Sequence, residues 1–313
     1  MNGQNSLARS NSAEYMIFHT QCPICSSPTL TGYAIDVQRR GPHMSRVRCE
    51  DCDIVFANPM ADEQELAAFY RGIYQSDKYV QQRYTDDILI KKSETEALSD
   101  TELFKEAAYI FDYTKGGRFL DVGVGLGAIL LNVDRPEFEL YVTEFDAEAI
   151  EFVSKTFRQP INAFHGDLIE AQYPESYFDY ICCNHVIEHV LDPVAYMREM
   201  YRILKPNGVL FLGTPNRKSN LYRLYRFFQL HRGKVPRIID GIEHTFIFSP
   251  DNLAAIARNC GFSVELHRTI TLRDSFRHIW KMAFPLKKRM ARYVQTWFSV
   301  NQELICRKPS KPD

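Results

Sequence analysis

From Gly117 onward the chain alternates short apolar runs with helical patterns, and no other feature narrows its fold so far. Arg118-Phe119-Leu120-Asp121-Val122, Leu140-Tyr141-Val142-Thr143, Asn162-Ala163-Phe164-His165, Phe178-Asp179-Tyr180-Ile181-Cys182-Cys183 and Val209-Leu210-Phe211-Leu212 read as strands. Helical segments lie between them, for example Pro193 to Leu204, closed by Lys205-Pro206-Asn207-Gly208. This alternation is the signature of βα units and a parallel sheet. Ser263-Val264-Glu265-Leu266-His267 and Glu303-Leu304-Ile305-Cys306 look like two further strands.

The length of 313 residues suits one large domain with a small module beside it. Residues 1–14 read as a disordered start, 15–60 as a turn-rich module with cysteine pairs, 61–112 as a helical linker, and 113–313 as the main domain. In the linker, Asp62-Glu63-Gln64-Glu65 puts acids in a first helical turn, where the helix dipole favours them. A helical insertion is expected at about 217–242 and a basic helical segment at about 270–298. The formal net charge of −1 argues against a chain wrapped around nucleic acid. No run approaches the roughly 18 apolar residues that span a bilayer, and Met1 to Ser12 lacks the apolar centre of a secretory signal. The expectation is a cytoplasmic protein.

Asp121-Val122-Gly123-Val124-Gly125-Leu126-Gly127 falls at a strand-to-helix junction. Glycines there let the backbone turn tightly and approach a ligand, while a helix N-terminus offers free N–H groups. Gly123, Gly125 and Ala128 also satisfy the dinucleotide pattern G-x-G-x-x-A, so a dehydrogenase is a rival at this point. Glu144 ends the second strand, where a carboxylate can accept from two ribose hydroxyls; Asp146 is the alternative in the same turn. Gly166-Asp167-Leu168 follows the third strand.

These residues resemble the class I S-adenosylmethionine-dependent methyltransferases. The Asp121 to Gly127 run resembles their first motif, D/E-x-G-x-G-x-G. Asn184-His185-Val186-Ile187-Glu188-His189-Val190-Leu191-Asp192-Pro193, then Leu204-Lys205-Pro206-Asn207-Gly208, resembles a subfamily with E-H-V-x-D-P and L-K-P-G-G. Dehydrogenases lack that series. Asn207 departs from the pattern, though Asn tolerates a left-handed turn. The resemblance covers about Gly117 to Asn216 and resumes at Glu243 to Pro250. It implies an α/β fold with a Rossmann-like, mostly parallel seven-stranded sheet. It also implies S-adenosylmethionine as cofactor, held by Asp121, Gly123, Gly125, Gly127, Glu144, Phe145, Asp167, Leu168 and Asn184. The acid at 167 would accept from the adenine amino group, with Leu168 packed on the ring.

Cys22-Pro23-Ile24-Cys25 and Cys49-Glu50-Asp51-Cys52 are two Cys-x-x-Cys units flanking a turn-rich stretch. Four thiolates suit a structural tetrahedral Zn2+, leaving no position for water. The unit resembles the N-terminal zinc ribbon of bacterial sugar and surface-glycan methyltransferases. A similar module precedes a ribosomal-RNA methyltransferase family.

His185, Glu188 and His189 follow the fourth strand, at the crevice where open α/β sheets bind ligands, at helical spacing on one face. His189, His185 and His244 are the candidate bases for an oxygen or carbon acceptor. Basic-aromatic stretches lie at Arg217 to Arg237 and Arg268 to Arg292. They fit either a solvated helical face or contact with an anionic membrane surface. The expectation is therefore methyl transfer to a small-molecule acceptor, a nucleotide- or lipid-linked sugar, with peripheral membrane contact through the basic helices. The rivals are a ribosomal-RNA methyltransferase and a non-catalytic binding protein.

Overall fold

The computed structural model describes residues 16–36, 44–62, 64, 66, 110–125, 127–232, 244–270 and 301–310. Residues 1–14, Leu126, most of the 61–112 linker, the end of the 217–242 insertion and nearly all of the 270–298 segment lie outside the described residues.

Five short strands come first: β1 (Met16–Ile17), β2 (Leu30–Asp36), β3 (Met44–Cys49), β4 (Val55–Ala57) and β5 (Met60–Ala61). β1 pairs with β5, and β2, β3 and β4 form an antiparallel meander. A short helix, α1 (Ile110–Tyr113), leads into β6 (Gly117–Val122). There follow β7 (Phe138–Glu144), α2 (Ala147–Thr156), β8 (Ile161–His165), β9 (Phe178–Asn184), α3 (Pro193–Ile203), β10 (Leu204–Pro215) and α4 (Asn220–His231). The described chain closes with β11 (Phe246–Ile247), α5 (Pro250–Asn259), β12 (Ser263–Ile270) and β13 (Asn301–Arg307).

The seven strands of the main sheet stand in the order β12-β13-β10-β9-β6-β7-β8. The pairs from β10 to β8 are parallel, and β13 runs against both of its neighbours. The order turns round at β6, which lies between β7 and β9. A crevice at the C-terminal ends of β6 and β9 is the position such a switch point provides for ligands.

Local chemistry starts each well-formed helix. Asp146 caps α2 through Glu148 N, and Asp192 caps α3 through Val194 and Ala195 N, ahead of Pro193. Ser249 and Asn252 form a capping box at α5. Alternate strand residues then face opposite layers. Leu120, Val122, Ile181, Cys183, Leu210 and Leu212 join one core, and Phe119, Val142, Tyr180, Cys182 and Phe211 join the other. The first core runs on without a break into Cys22, Cys49, Ile54 and Phe56, so the cysteine module and the sheet share an apolar interior.

Two local expectations are corrected. Among the described residues no α-helix follows the glycine loop; a 3-10 turn, Leu130–Asn132, stands there instead. Pro136 lies a few residues on and disfavours helix at Arg135, so the stretch is too short to sustain one. The run His185 to His189 is likewise a turn rather than a helical face. His185 has φ of 56°, which breaks any helix there, and the next helix starts only at the Asp192 cap. In β10, Lys205 to Gly208 lie inside the strand as a register shift, with Asn207 at φ 63°.

Gly127 is the tightest point of the loop against α2. A Cβ there would lie 2.8 Å from Phe157 and 3.0 Å from Val153, at a φ of +72°. Gly127→Ala is expected to destabilise the protein by about 1–3 kcal/mol, seen as a lower urea midpoint with unchanged slope.

Candidate active site

The loop after β6 has the features of a ligand cradle. Gly123, Gly125 and Gly127 all take positive φ. A Cβ on Gly123 would meet Val186 at 2.5 Å, so this glycine lets the loop pack under the turn after β9. Gly125 differs: a Cβ there would meet nothing within 4 Å. The middle of the loop thus faces open space, as an adenosyl ligand requires.

Glu144 closes the side of that space. Its Oε2 accepts from Gly125 N at 2.9 Å, and its Oε1 accepts from Phe145 N at 2.8 Å and Asp146 N at 3.2 Å. Burial raises its pKa, against the opposing pull of those three backbone donors. Asp146 caps α2, its Oδ1 accepting from Glu148 N. Phe145, 56% exposed, offers a bare apolar face beside it. At the end of β8, Asp167 accepts from Ile169 N at 2.7 Å and from the Tyr196 hydroxyl, and Leu168 is buried. Asp121 lies beneath the loop, 3% exposed.

Asn184, the last residue of β9, depends on a glycine that the sequence reading passed over. A Cβ on Gly213 would lie 1.9 Å from Asn184 Oδ1. A glycine inside a strand is a sign of close approach, and this was the available signal.

Around the turn after β9 a second group of side chains converges. Glu188 is 1% exposed. Its Oε1 lies 3.2 Å from His185 Nδ1 and 3.9 Å from His189 Nε2, and its Oε2 accepts from Thr214 Oγ1 at 2.9 Å. Burial alone would raise its pKa, yet the His185 hydrogen bond and the charges of His189, His185 and His244 bring it down to about 2. The rings of His189 and His244 meet edge to face at 4.8 Å. Asn301 Nδ2 stands 3.3 Å from His185 Nε2. Ligand-type atoms of Glu188, His189 and His244 lie within 4.8 Å of one another, so this set has the donors for a divalent cation as well as for moving a proton. Thr214, Asn301 and Tyr196 were not foreseen, because nothing in their local sequence marks them.

The four cysteines of the module also converge. Cys22 and Cys52 have Sγ atoms 3.6 Å apart, and Cys25 and Cys49 3.5 Å. All four sulfurs lie within 4.8 Å of one another. These separations suit the edges of a tetrahedron with metal–sulfur bonds of about 2.3 Å. Ile24 N points at Cys22 Sγ at 3.4 Å, and the four converging sulfurs are the donor set of a thiolate-binding ion.

A methyltransferase-domain family model matches residues 96–267, more than half of the chain. The chain belongs to this family, the S-adenosylmethionine-dependent methyltransferases, and the dehydrogenase rival falls away. Among curated relatives, a ubiquinone biosynthesis O-methyltransferase of Pseudomonas fluorescens (strain SBW25) is 28% identical over 162 residues, covering 48% of this chain and 66% of that protein. One of Pseudomonas savastanoi pv. phaseolicola is 31% identical over 159 residues, covering 50% and 65%. The match thus spans just under two thirds of those relatives' length. Among solved structures, a SAM-dependent methyltransferase from Archaeoglobus fulgidus aligns with a TM-score of 0.50 at 17% identity, over 74% of this chain and all of that one. The 1,6-didemethyltoxoflavin-N1-methyltransferase of Burkholderia thailandensis aligns at 0.52 and 14% identity, over 89% and 99%. Both are likenesses of fold.

Asp121 gives this site a pH signature. Burial pushes its carboxyl up to about 8 from 3.8, opposed by the Cys182 hydrogen bond and reinforced by the charge of Glu144. A raised pKa means the folded state favours the protonated form, so the stability it lends is present below pH 3.8 and lost as pH rises towards 8. Asp121→Asn cannot ionise. Its urea midpoint is expected to fall less than that of the parent protein across that window, and parallel pH profiles of the two would refute the assignment.

Proposed function

We propose that the protein transfers a methyl group from S-adenosylmethionine to a hydroxyl oxygen of a small-molecule acceptor, with His244 and His189 moving the released proton. The observation that carries this reading is the edge-to-face pair of His189 and His244 at 4.8 Å, backed by the buried Glu188 carboxylate. S-adenosylmethionine, when bound, supplies a methyl group activated by a sulfonium. Glu144 would hold the ribose hydroxyls, Phe145 and Leu168 the adenine faces, Asp167 the adenine amino group, and Asp121 and Asn184 the methionine end. Positioning of the acceptor oxygen supplies much of the rate in such a displacement. The acceptor's proton would leave to an imidazole as the carbon–oxygen bond forms and the methyl–sulfur bond breaks, its electron pair leaving with the neutral thioether, and a carboxylate behind that imidazole stabilises the charge it gains. His185, bonded to Glu188 and Asn301, fits the part of an orienting group rather than the base.

A hydroxyl acceptor is supported by the O-methyltransferase names of the curated relatives. Within that class, the nucleotide- or lipid-linked sugar rests on the resemblance of the cysteine module to glycan-pathway enzymes. The exposed Leu224, Phe227, Phe228 and Leu230 of α4, next to Arg223 and Arg232, favour the lipid-linked form and contact with a membrane face. Zn2+ in the cysteine module would be structural, since four thiolates complete its coordination.

Calorimetry with S-adenosylhomocysteine is the first test, and absence of binding to the folded protein sinks the proposal. Glu144→Gln is expected to weaken that binding by about 10-fold or more, through the loss of charge-assisted hydrogen bonds of about 1.5–3 kcal/mol. With tritiated donor, label is expected in a sugar- or phenol-bearing acceptor and not in RNA. In the same assay His244→Ala is expected to lower kcat by about 10²- to 10⁴-fold while leaving S-adenosylhomocysteine affinity unchanged.

A further inference from the structure

Methyl transfer leaves the cysteine module without a task, yet the module is built into the wall of the site. The segment that carries His244 is held by it along its length. Phe246 and Ile247, as β11, pair with Phe56 and Val55 of β4, so the module's sheet takes its fourth strand from the methyltransferase domain. Ala57 N donates to Thr245 O at 3.0 Å. Arg46, on β3, is fully buried and directs Nη1 at the carbonyl of His244 and, at 3.3 Å, at that of Thr245. On its other side the segment meets the turn after β9. Phe246 N donates to Glu188 O at 3.0 Å, and Thr245 Oγ1 donates to His189 O at 3.2 Å. Beyond β11, Gln302 Nε2 donates to Phe248 O at 3.2 Å. The rim is closed by Arg217, which binds both the carboxylate and the backbone carbonyl of Asp53, beside Cys52.

A buried guanidinium is costly unless its donors find acceptors. Apolar contact between Phe56 and Phe246 would hold the two units together without one. The placement of Arg46 on the carbonyls of residues 244 and 245 gives it a more specific consequence: it sets the backbone from which the His244 ring reaches His189.

We propose that the cysteine module is a part of the acceptor side of the active site, and that Arg46 is the positioning residue that sets His244 against His189. This rests on the reading of His244 as a base. The module acts through geometry: its fold, braced by the four cysteines, fixes β3 and β4, and these fix the 244–248 segment. Cofactor binding lies on the opposite side of the crevice and is independent of it.

The test uses the full chain, zinc-loaded and saturated with S-adenosylhomocysteine, with histidines labelled for NMR. The His189 ring proton nearest His244 is shifted by that ring, and His244→Ala identifies the effect. Arg46→Met removes the donor while keeping most of the volume. It is expected to shift the His189 signal the way His244→Ala does, with zinc content and S-adenosylhomocysteine affinity unchanged, and to lower kcat by about 100-fold. Chelation of the zinc should produce the same shift. A His189 signal that stays at its parent position in folded Arg46→Met overturns the inference. Should Arg46→Met lose zinc or cofactor binding, Arg46→Lys carries the same test, with a partial shift expected and an unmoved signal overturning it. If His244→Ala moves the signal but leaves kcat intact, the reading of His244 as a base fails and the positioning role stands.

Discussion

Glu188 is the point on which the cluster of side chains around the turn after β9 depends. A carboxylate with almost no exposure is stable as an anion only where donors and positive charge surround it. Here those partners come from separate elements. His185 and His189 belong to the turn after β9, Thr214 to the end of β10, and His244 to the segment before β11, while Asn301 at the start of β13 reaches His185. The strand order explains how they meet. β9, β10 and β13 are consecutive in the sheet, so their ends at one edge deliver side chains to a single place. The positive φ of His185 then bends the chain sharply enough for His185, three residues before Glu188, and His189, one after it, to face the same carboxylate without a helix.

The donor side follows a different logic. It is built from the neighbouring ends of β6, β7 and β8. Glu144 reaches Gly125 across 19 residues, and the glycines divide the work. Gly123 and Gly127 allow close packing against Val186 and α2, and Gly125 leaves space for a ligand. Among the described residues no helix follows the loop, and its backbone N–H groups are spent within the site: Gly123 and Val124 donate to Thr143 O and Gly125 to Glu144, so the buried Glu144 rather than a helix dipole sets the polarity of the cradle.

This contrast accounts for what could be read from the chain and what could not. The seven strands and the glycine loop were legible because apolar periodicity and positive-φ glycines are local signals, and the four cysteines because paired Cys-x-x-Cys spacing reports a shared site. The caps at Asp146, Asp192 and Ser249 follow the same local rules. The helical spacing of His185, Glu188 and His189 misled, since the same spacing serves a turn once one residue takes a left-handed conformation. Thr214 and Asn301 carry no mark of their own. Arg46 is one of two arginines in a strand of a remote module, separated from His244 by 198 residues, and only the assembled fold brings the two together.

Why a small cysteine-rich unit should be joined to a sheet of this kind follows from the same geometry. The segment at 244–248 has only a two-residue strand of its own, too short to hold a defined course by pairing alone. A histidine that meets another at 4.8 Å needs more support than so short a strand supplies. Four cysteines on two knuckles make a rigid support out of few residues, where a hydrophobic core of that size would not suffice. The support is then joined to the sheet by a continuous apolar interior and by the buried donor Arg46. On this view the N-terminal module, His189 and His244 form one structural unit, although the chain separates the module from both histidines by the strands that carry the glycine loop and Glu144.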